Sequence, residues 1–502
     1  MVVCLCALGS SVAQAPPAQW GLGQEPITPI PPAPILDPRQ VALGDRLFHD
    51  PRLSHDNTVS CNSCHDMSTN GAQASLLKSR TDAGPELNTP TVFNAALNYR
   101  LNWEGNVRTL EDQADQTLQK PQTMASSLDE VLKKLRVDQG LSKQFREAYG
   151  REMDGPGILH AISTYERSLL TPGCRFDLWL GGDAGAITPE ELAGYRMFKS
   201  LGCVSCHQGV NVGGNMYQRH GIFHPLASPE PEIVRVPGLR NVAVTPPYFH
   251  DGSAATLPKA VEAMAYAQLD RVLTDDQTNA IVAFLNTLTG GVSREAPHAA
   301  SRVVAEGGAP VRLLPGAAAA CLLLALLTWL LVRGISTDAT DYAATLRTFD
   351  DFALTEASLH RDVLRTRAGL LQDYDPVNAA MAQIDSAVAR LRSEALKEGL
   401  DAAPVDRLTA ATGLEDELTE RFKSDNALLR NSLSYVGLLS TNPDFVERNP
   451  LLAKPIGALA AAILQLTLDS STPPARLSRI VLPSLRSRLR SRGPTRQALR
   501  RS

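Results

Sequence analysis

The sequence predicts a mainly α-helical protein: two small helical units, one apolar helix, then an all-helical bundle. Three observations predict it. The pattern Cys-x-x-Cys-His occurs twice, at 61–65 and 203–207, each copy followed by its own loop-rich stretch and helical patterns. Residues 313–332 (LLPGAAAACLLLALLTWLLV) carry no charge and have the length that crosses a bilayer. No run of alternating β-branched residues suggests a substantial sheet, whereas apolar residues after 338 recur at helical spacing.

At 502 residues the chain is too long for one ordinary domain. Its formal net charge of -4 gives no general attraction to nucleic acid, so no such partner is expected. Residues 1–15 end in Ala13-Gln14-Ala15 and read as a secretory signal peptide. Residues 16–36 form a Pro/Ala-rich extended leader. The first unit spans 37–182 and the second 183–292. Between them, Thr188-Pro189-Glu190-Glu191 is a helix start, with Thr188 as N-cap and Glu191 closing a capping box. The second unit closes with a helix through 281–285, stopped by Gly290-Gly291. A linker, 293–312, leads to the transmembrane helix 313–332.

Residues 338–470 read as helical. Met381, Ile384, Val388 and Leu391 share one spacing, as do Leu414, Leu418, Phe422, Leu429 and Leu433. Asp375-Pro376 and Ala403-Pro404 mark turns between helices. The tail 473–502 is Arg-, Ser- and Pro-rich without an acidic residue, and reads as disordered.

Four of the eight cysteines lie in the paired motifs, and the others have no evident partners, so no disulfide framework is expected. In Cys61-Asn62-Ser63-Cys64-His65 and Cys203-Val204-Ser205-Cys206-His207, two thiols add to the vinyl groups of a haem and the histidine falls under the iron. A redox dithiol or half a zinc site does not explain two copies with an immediate histidine. The expectation is two cytochrome c-like domains holding two haem c groups, outside the bacterial cytoplasm. The sixth iron ligand decides between electron transfer and catalysis. Met264 and Met216 are both candidates, and periodicity does not choose between them.

Residues ~37–290 resemble the bacterial di-haem cytochrome c peroxidase / MauG family. The strings that carry the resemblance run in order. Before the second motif they are Leu47-Phe48-His49-Asp50-Pro51-Arg52-Leu53-Ser54, Asn88-Thr89-Pro90-Thr91-Val92-Phe93-Asn94, Trp103-Glu104-Gly105, Leu110-Glu111-Asp112-Gln113-Ala114 and Arg175-Phe176-Asp177. After it come Leu239-Arg240-Asn241-Val242, Pro247-Tyr248-Phe249-His250-Asp251-Gly252 and Met264 with Ala267-Gln268-Leu269. The resemblance implies reduction of hydrogen peroxide to water, with electrons from a small periplasmic cytochrome c or cupredoxin. It makes His65 the ligand of a peroxidatic haem, and His207 with Met264 the axial pair of an electron-transfer haem. It makes Glu111 the catalytic acid/base. It assigns Asn88, Thr245 and Pro247 to a calcium ion held by oxygen ligands. It is compatible with a homodimer. MauG itself, which oxidises a partner protein, has tyrosine where Met264 stands, so the peroxidase is the first expectation. A redox-sensing or electron-carrying module is the third.

Two departures matter. The loop Gly71-Ala72-Gln73-Ala74-Ser75-Leu76-Leu77-Lys78-Ser79-Arg80 lacks the histidine that caps the family's resting peroxidatic iron, so that site is expected to be open. Leu101 replaces a glutamine near the peroxide pocket, which removes one hydrogen-bonding group. His55 matches no ligand position.

Residues ~338–470 resemble the double all-helical ligand-binding (DAHL) input domain of bacterial sensor kinases. The resemblance rests on Arg365-Thr366-Arg367-Ala368-Gly369-Leu370-Leu371, Tyr374-Asp375-Pro376 and Asn426-Ala427-Leu428-Leu429-Arg430-Asn431-Ser432-Leu433. One membrane crossing at 313–332 would place this part opposite the haem units, although the resemblance wants it outside. Two fused reading frames, with an out-of-frame basic tail, are the expected explanation.

Overall fold

The computed structural model describes residues 25–72, 87–291, 347–397, 401, 403–441, 455 and 458. The expected signal peptide 1–15, the expected transmembrane helix 313–332 and the basic tail 473–502 lie outside the described residues. Among the described residues, no helix is long and apolar enough to cross a membrane.

The first unit contains α1 (Pro38–Phe48), α2 (Leu110–Gln119), α3 (Leu128–Leu135), α4 (Gln139–Tyr149) and α5 (Gly155–Ser168). Pro38 fits the first turn of α1, and the Asp37 carboxylate accepts the Arg39 N–H at 2.9 Å. α1 crosses α5 at Gly44, where a Cβ would stand 2.0 Å from the Ala161 carbonyl oxygen. Leu43, Leu47, Phe48, Phe145 and Ile158 fill the core around this crossing.

After α6 (Arg175–Leu180), the second unit repeats the plan with α7 (Pro189–Ser200), α8 (Leu257–Leu269) and α9 (Asp275–Asn286). α7 crosses α9 at Gly194, where a Cβ would stand 1.9 Å from the Ala280 carbonyl. Each unit thus brings its first and last helices together over a residue without a side chain. The predicted capping box forms: Thr188 Oγ1 accepts from Glu191 N–H, and Glu191 accepts from Thr188 N–H. The predicted stop at Gly290-Gly291 does not hold. α9 ends at Asn286, where Thr287 Oγ1 returns a 2.6 Å hydrogen bond to Phe284 O, and Gly290 donates instead to Asn241 Oδ1.

The one sheet among the described residues is a pair of three-residue antiparallel strands, β1 (Tyr217–Arg219) and β2 (Ile233–Arg235), with Gln218 opposite Val234. The leader is less free than its composition suggests. Ile27 and Ile30 are buried, Ile27 bridges to Gly209, and Glu25 accepts from the Tyr195 hydroxyl at 2.5 Å. Arg240 is fully buried and ties these parts together. It donates to Thr28 O (2.8 Å), Val210 O (3.0 Å) and Cys174 Sγ (3.1 Å), and pairs with Asp177 at 2.7 Å, off the hydrogen-bond direction. Cys174 is therefore a buried helix cap rather than spare bulk: its sulfur also accepts the Asp177 N–H of α6.

The second half folds as a helix over 347–367 (α10), α11 (Asp375–Lys397) and α12 (Ala403–Thr441). Pro376 and Pro404 both sit in first turns, as the turn signals predict. Met381, Ile384, Val388 and Leu391 are buried along α11. On α12 the expected stripe holds only in part: Phe422, Leu429 and Leu433 are half-buried, but Leu414 and Leu418 are 58% and 53% exposed, while Thr412, Asp416, Thr419, Lys423 and Asn426 are buried. The reason is the surface that α12 meets. Asp416 accepts from the Tyr99 hydroxyl (2.6 Å) and pairs with Arg100 and Arg108, and Lys423 donates to Asn215 O (2.9 Å). A face packed on polar loops must itself be polar and paired.

These pairs put α12 in direct contact with the loops of the haem units.

Candidate haem sites and catalytic carboxylate

Both Cys-x-x-Cys-His motifs fold alike. Cys61–Ser63 and Cys203–Ser205 each form one 3-10 turn, and the His65 and His207 N–H groups bond back to Cys61 O and Cys203 O at 3.0 Å. His65 Nδ1 lies 3.2 Å from Gly71 O, and His207 Nδ1 lies 3.4 Å from Val212 O. A ring nitrogen that donates to a carbonyl leaves Nε2 as the free lone pair, the tautomer that binds a metal. Burial pushes both imidazoles down, His207 to about 4, so both are neutral at pH 7. Phe48 of α1 packs 6.3 Å from the His65 ring, and Phe198 of α7 packs 6.4 Å from His207. Burial pushes the Cys203 and Cys206 thiols up to about 12, and Cys61 and Cys64 also upward; none of the four is in a disulfide.

In the second unit, Cys203, Cys206, His207 and Met264 line one cavity whose other walls include Leu257, Ile281 and Leu285. Two thiols, an imidazole and a thioether facing an apolar cleft fit a haem c with His/Met ligation. Met216, the other methionine candidate, is not among the residues lining this cavity; it packs behind it with Val236 and Tyr374, in a cluster that Cys206 also touches. In the first unit the loop beyond Ala72, through 86, falls outside the described residues, and so does the position of the missing histidine.

Glu111 stands in the first turn of α2. Both its carboxylate oxygens accept from Arg167 at the end of α5, at 2.8 and 2.9 Å. Burial pushes this carboxyl up, but the Arg167 hydrogen bonds, the Glu111 backbone N–H and the Arg167 charge outweigh it, and it sits below the ordinary glutamate value. The adjacent Glu166 behaves oppositely. It is buried, its Oε2 has no partner, and burial pushes it up to about 8 against the pull of Arg167. One ionised and one neutral carboxyl therefore flank the first motif's side of α5, where Tyr165 also packs against Phe48.

Leu101 is buried against Val107 and Leu110, so its position offers no polar group. His55 faces Glu130 on the surface at 3.0 Å, away from both motifs. Asn88 Nδ2 donates to Pro247 O (2.7 Å) and Phe249 O (3.1 Å), which brings Asn88 and Pro247 together. The Thr245 hydroxyl turns to Val242 O.

Sequence reasoning missed Arg167 and gave Trp103 no role. Trp103 is nearly buried, donates from its indole to Asn88 O (2.8 Å) and meets His250 edge-on at 6.2 Å. Its place in the Trp-Glu-Gly string was the available signal. Arg167 had none, being 56 residues from Glu111.

Residues 38–185 match the family model for di-haem cytochrome c peroxidase, 192–289 that for cytochrome c, and 337–501 that for the DAHL domain. The last match continues past 470, through the stretch expected to be out of frame. The cytochrome c551 peroxidase of Nitrosomonas europaea is 40% identical over 283 residues, covering 53% of this chain and 84% of the relative. The cytochrome c peroxidase Ccp of Escherichia coli is 39% identical over 286 residues, covering 53% and 61%. The methylamine utilization protein MauG of Methylorubrum extorquens is 29% identical over 286 residues, covering 52% and 81%.

Proposed function

The chain belongs to the bacterial di-haem cytochrome c peroxidase family, and from that premise we propose that residues 37–290 reduce hydrogen peroxide to water in the periplasm, drawing electrons from a small cytochrome c or cupredoxin. When bound, two haem c groups supply the redox chemistry. His65 and His207, neutral and oriented through Nδ1, would each hold the iron of one group, and Met264 would hold the second unit's iron together with His207.

The observation that carries this reading is the two-pronged contact of Glu111 with Arg167. It keeps the carboxylate ionised, so Glu111 is ready to accept a proton from peroxide and return it to the departing oxygen. Full-length haem-loaded protein should consume peroxide with reduced cytochrome c, and Glu111→Gln should lower the rate by about 10²–10⁴-fold at unchanged haem content. An unchanged rate would refute the assignment.

The first site is proposed to be open at rest, because residues 71–80 contain no histidine. A ferric spectrum with both haems low-spin and ligated by protein on both faces would refute this. The apolar Leu101 side chain removes one hydrogen-bonding group near the peroxide pocket and is proposed to slow turnover. Calcium at Asn88, Thr245 and Pro247 is proposed from the family resemblance, and Asn88 does lie against Pro247, its Nδ2 donating to the Pro247 and Phe249 carbonyls. Met264 on the second cavity favours the peroxidase over the MauG-like reading.

A further inference from the structure

We infer that α11 and α12 form a seat over the Cys206 side of the second haem cavity, and that a protein electron donor gains entry there only when the seat opens. The inference rests on the proposed role of that unit as the one that receives electrons.

The seat is built on the loop that follows His207. The Tyr374 N–H donates to Gln208 Oε1 (3.1 Å), the Val210 N–H donates to Asp375 Oδ2 (2.7 Å), and Asn215 Nδ2 donates to Asp375 Oδ1 (2.7 Å). Asn215 O in turn accepts from Asn378 Nδ2 (2.8 Å) and Lys423 Nζ (2.9 Å). The Tyr374 ring is fully buried among Met216, Val236 and Ala427, with Cys206 packed against the same cluster. Ala427, Leu428 and Asn431 line the cavity beside Cys203 and Cys206. A second patch joins Asp416 to Tyr99, Arg100 and Arg108.

The thioether side of a covalently held haem lies at its two cysteines. A helix pair across that side excludes a partner of protein size but not a small reductant. The seat is also of a separable kind. Apart from the Tyr374 anchor and the Tyr99 ring against the apolar face of α11, it is held by polar and charged groups, the composition of interfaces that permit domain motion. The rate of entry then scales with the fraction of chains whose seat is open. When the seat is open, each donor gives up one electron and leaves oxidised.

The test uses the full-length, haem-loaded chain. Asp416→Arg sets a third arginine against Arg100 and Arg108, Tyr374→Ala removes the anchor, and Arg100→Glu/Arg108→Glu combined with Asp416→Arg and Asp385→Arg restores opposite charges, because Arg108 pairs with Asp385 as well as Asp416. Hydrogen exchange over 207–216 reports opening directly. Both opening variants should raise exchange there, and the charge-restored variant should return it to the parent level. Reduction of the second haem by reduced mitochondrial cytochrome c should become at least tenfold faster in the opened chains, while reduction by ascorbate should stay within twofold. Unchanged exchange in both opening variants would overturn the seat. Raised exchange with equal, non-zero cytochrome rates would overturn the gate alone. A chain that ascorbate reduces and cytochrome c reduces in no variant would overturn the donor reading and the gate with it.

Discussion

The Glu111 carboxylate and the Arg167 guanidinium meet fork to fork at 2.8 and 2.9 Å, joining the first turn of α2 to the last turn of α5. Such bidentate pairs fix orientation as well as charge. Arg167 is what keeps Glu111 ionised despite burial. Arg167→Gln should therefore raise the Glu111 pKa and move the acidic limb of the pH profile of kcat/KM to higher pH. A limb that stays in place would show that Glu111 is not the group titrating.

Glu166 sets an opposite pH dependence on stability. Its folded pKa, about 8, lies above the unfolded value of 4.5. The folded chain thus holds more protons between these values, and stability falls as pH rises from about 4.5 to about 8. Glu166→Gln should remove this component and stabilise the protein at pH 8 relative to pH 5. Urea midpoints of both forms at the two pH values measure it, and parallel pH trends would contradict it.

Met264→His should lower the potential of the second haem, because thioether ligation favours the reduced iron. Axial ligand changes span about 0.8 V across haem proteins, so the drop should be readily resolved by spectroelectrochemistry. An unchanged potential would place the sixth ligand elsewhere.

Asp177→Ala should cost about 3–5 kcal/mol, since it strands the buried Arg240 charge. Denaturant unfolding at neutral pH measures the loss. A cost below about 1 kcal/mol would mean that the carbonyls of Thr28 and Val210 satisfy Arg240 by themselves.

Local chemistry was legible in the sequence because its signals are local. The two Cys-x-x-Cys-His motifs, the Thr188–Glu191 capping box and the helix-starting Pro376 and Pro404 depend only on near neighbours in the chain. The α11 stripe of Met381, Ile384, Val388 and Leu391 was legible because that face meets apolar partners. The leucine stripe of α12 misled at Leu414 and Leu418, because which face is buried depends on the partner surface, and that surface is polar. Likewise, periodicity placed Met264 and Met216 on an equal footing and the family resemblance preferred Met264, while the fold puts Met264 on the cavity that His207 lines and packs Met216 with Tyr374. The pairings of Glu111 with Arg167, Arg240 with Asp177, and Asp375 with the loop after His207 join residues far apart in the chain. By itself the sequence determined the two haem attachments and the helical character. Tertiary structure decided which carboxylate is held ionised, which methionine faces the cavity, and that α12 packs on the loops of the haem units. Long-range pairing depends on how the packed helices bring distant residues together, and no local pattern encodes that distance.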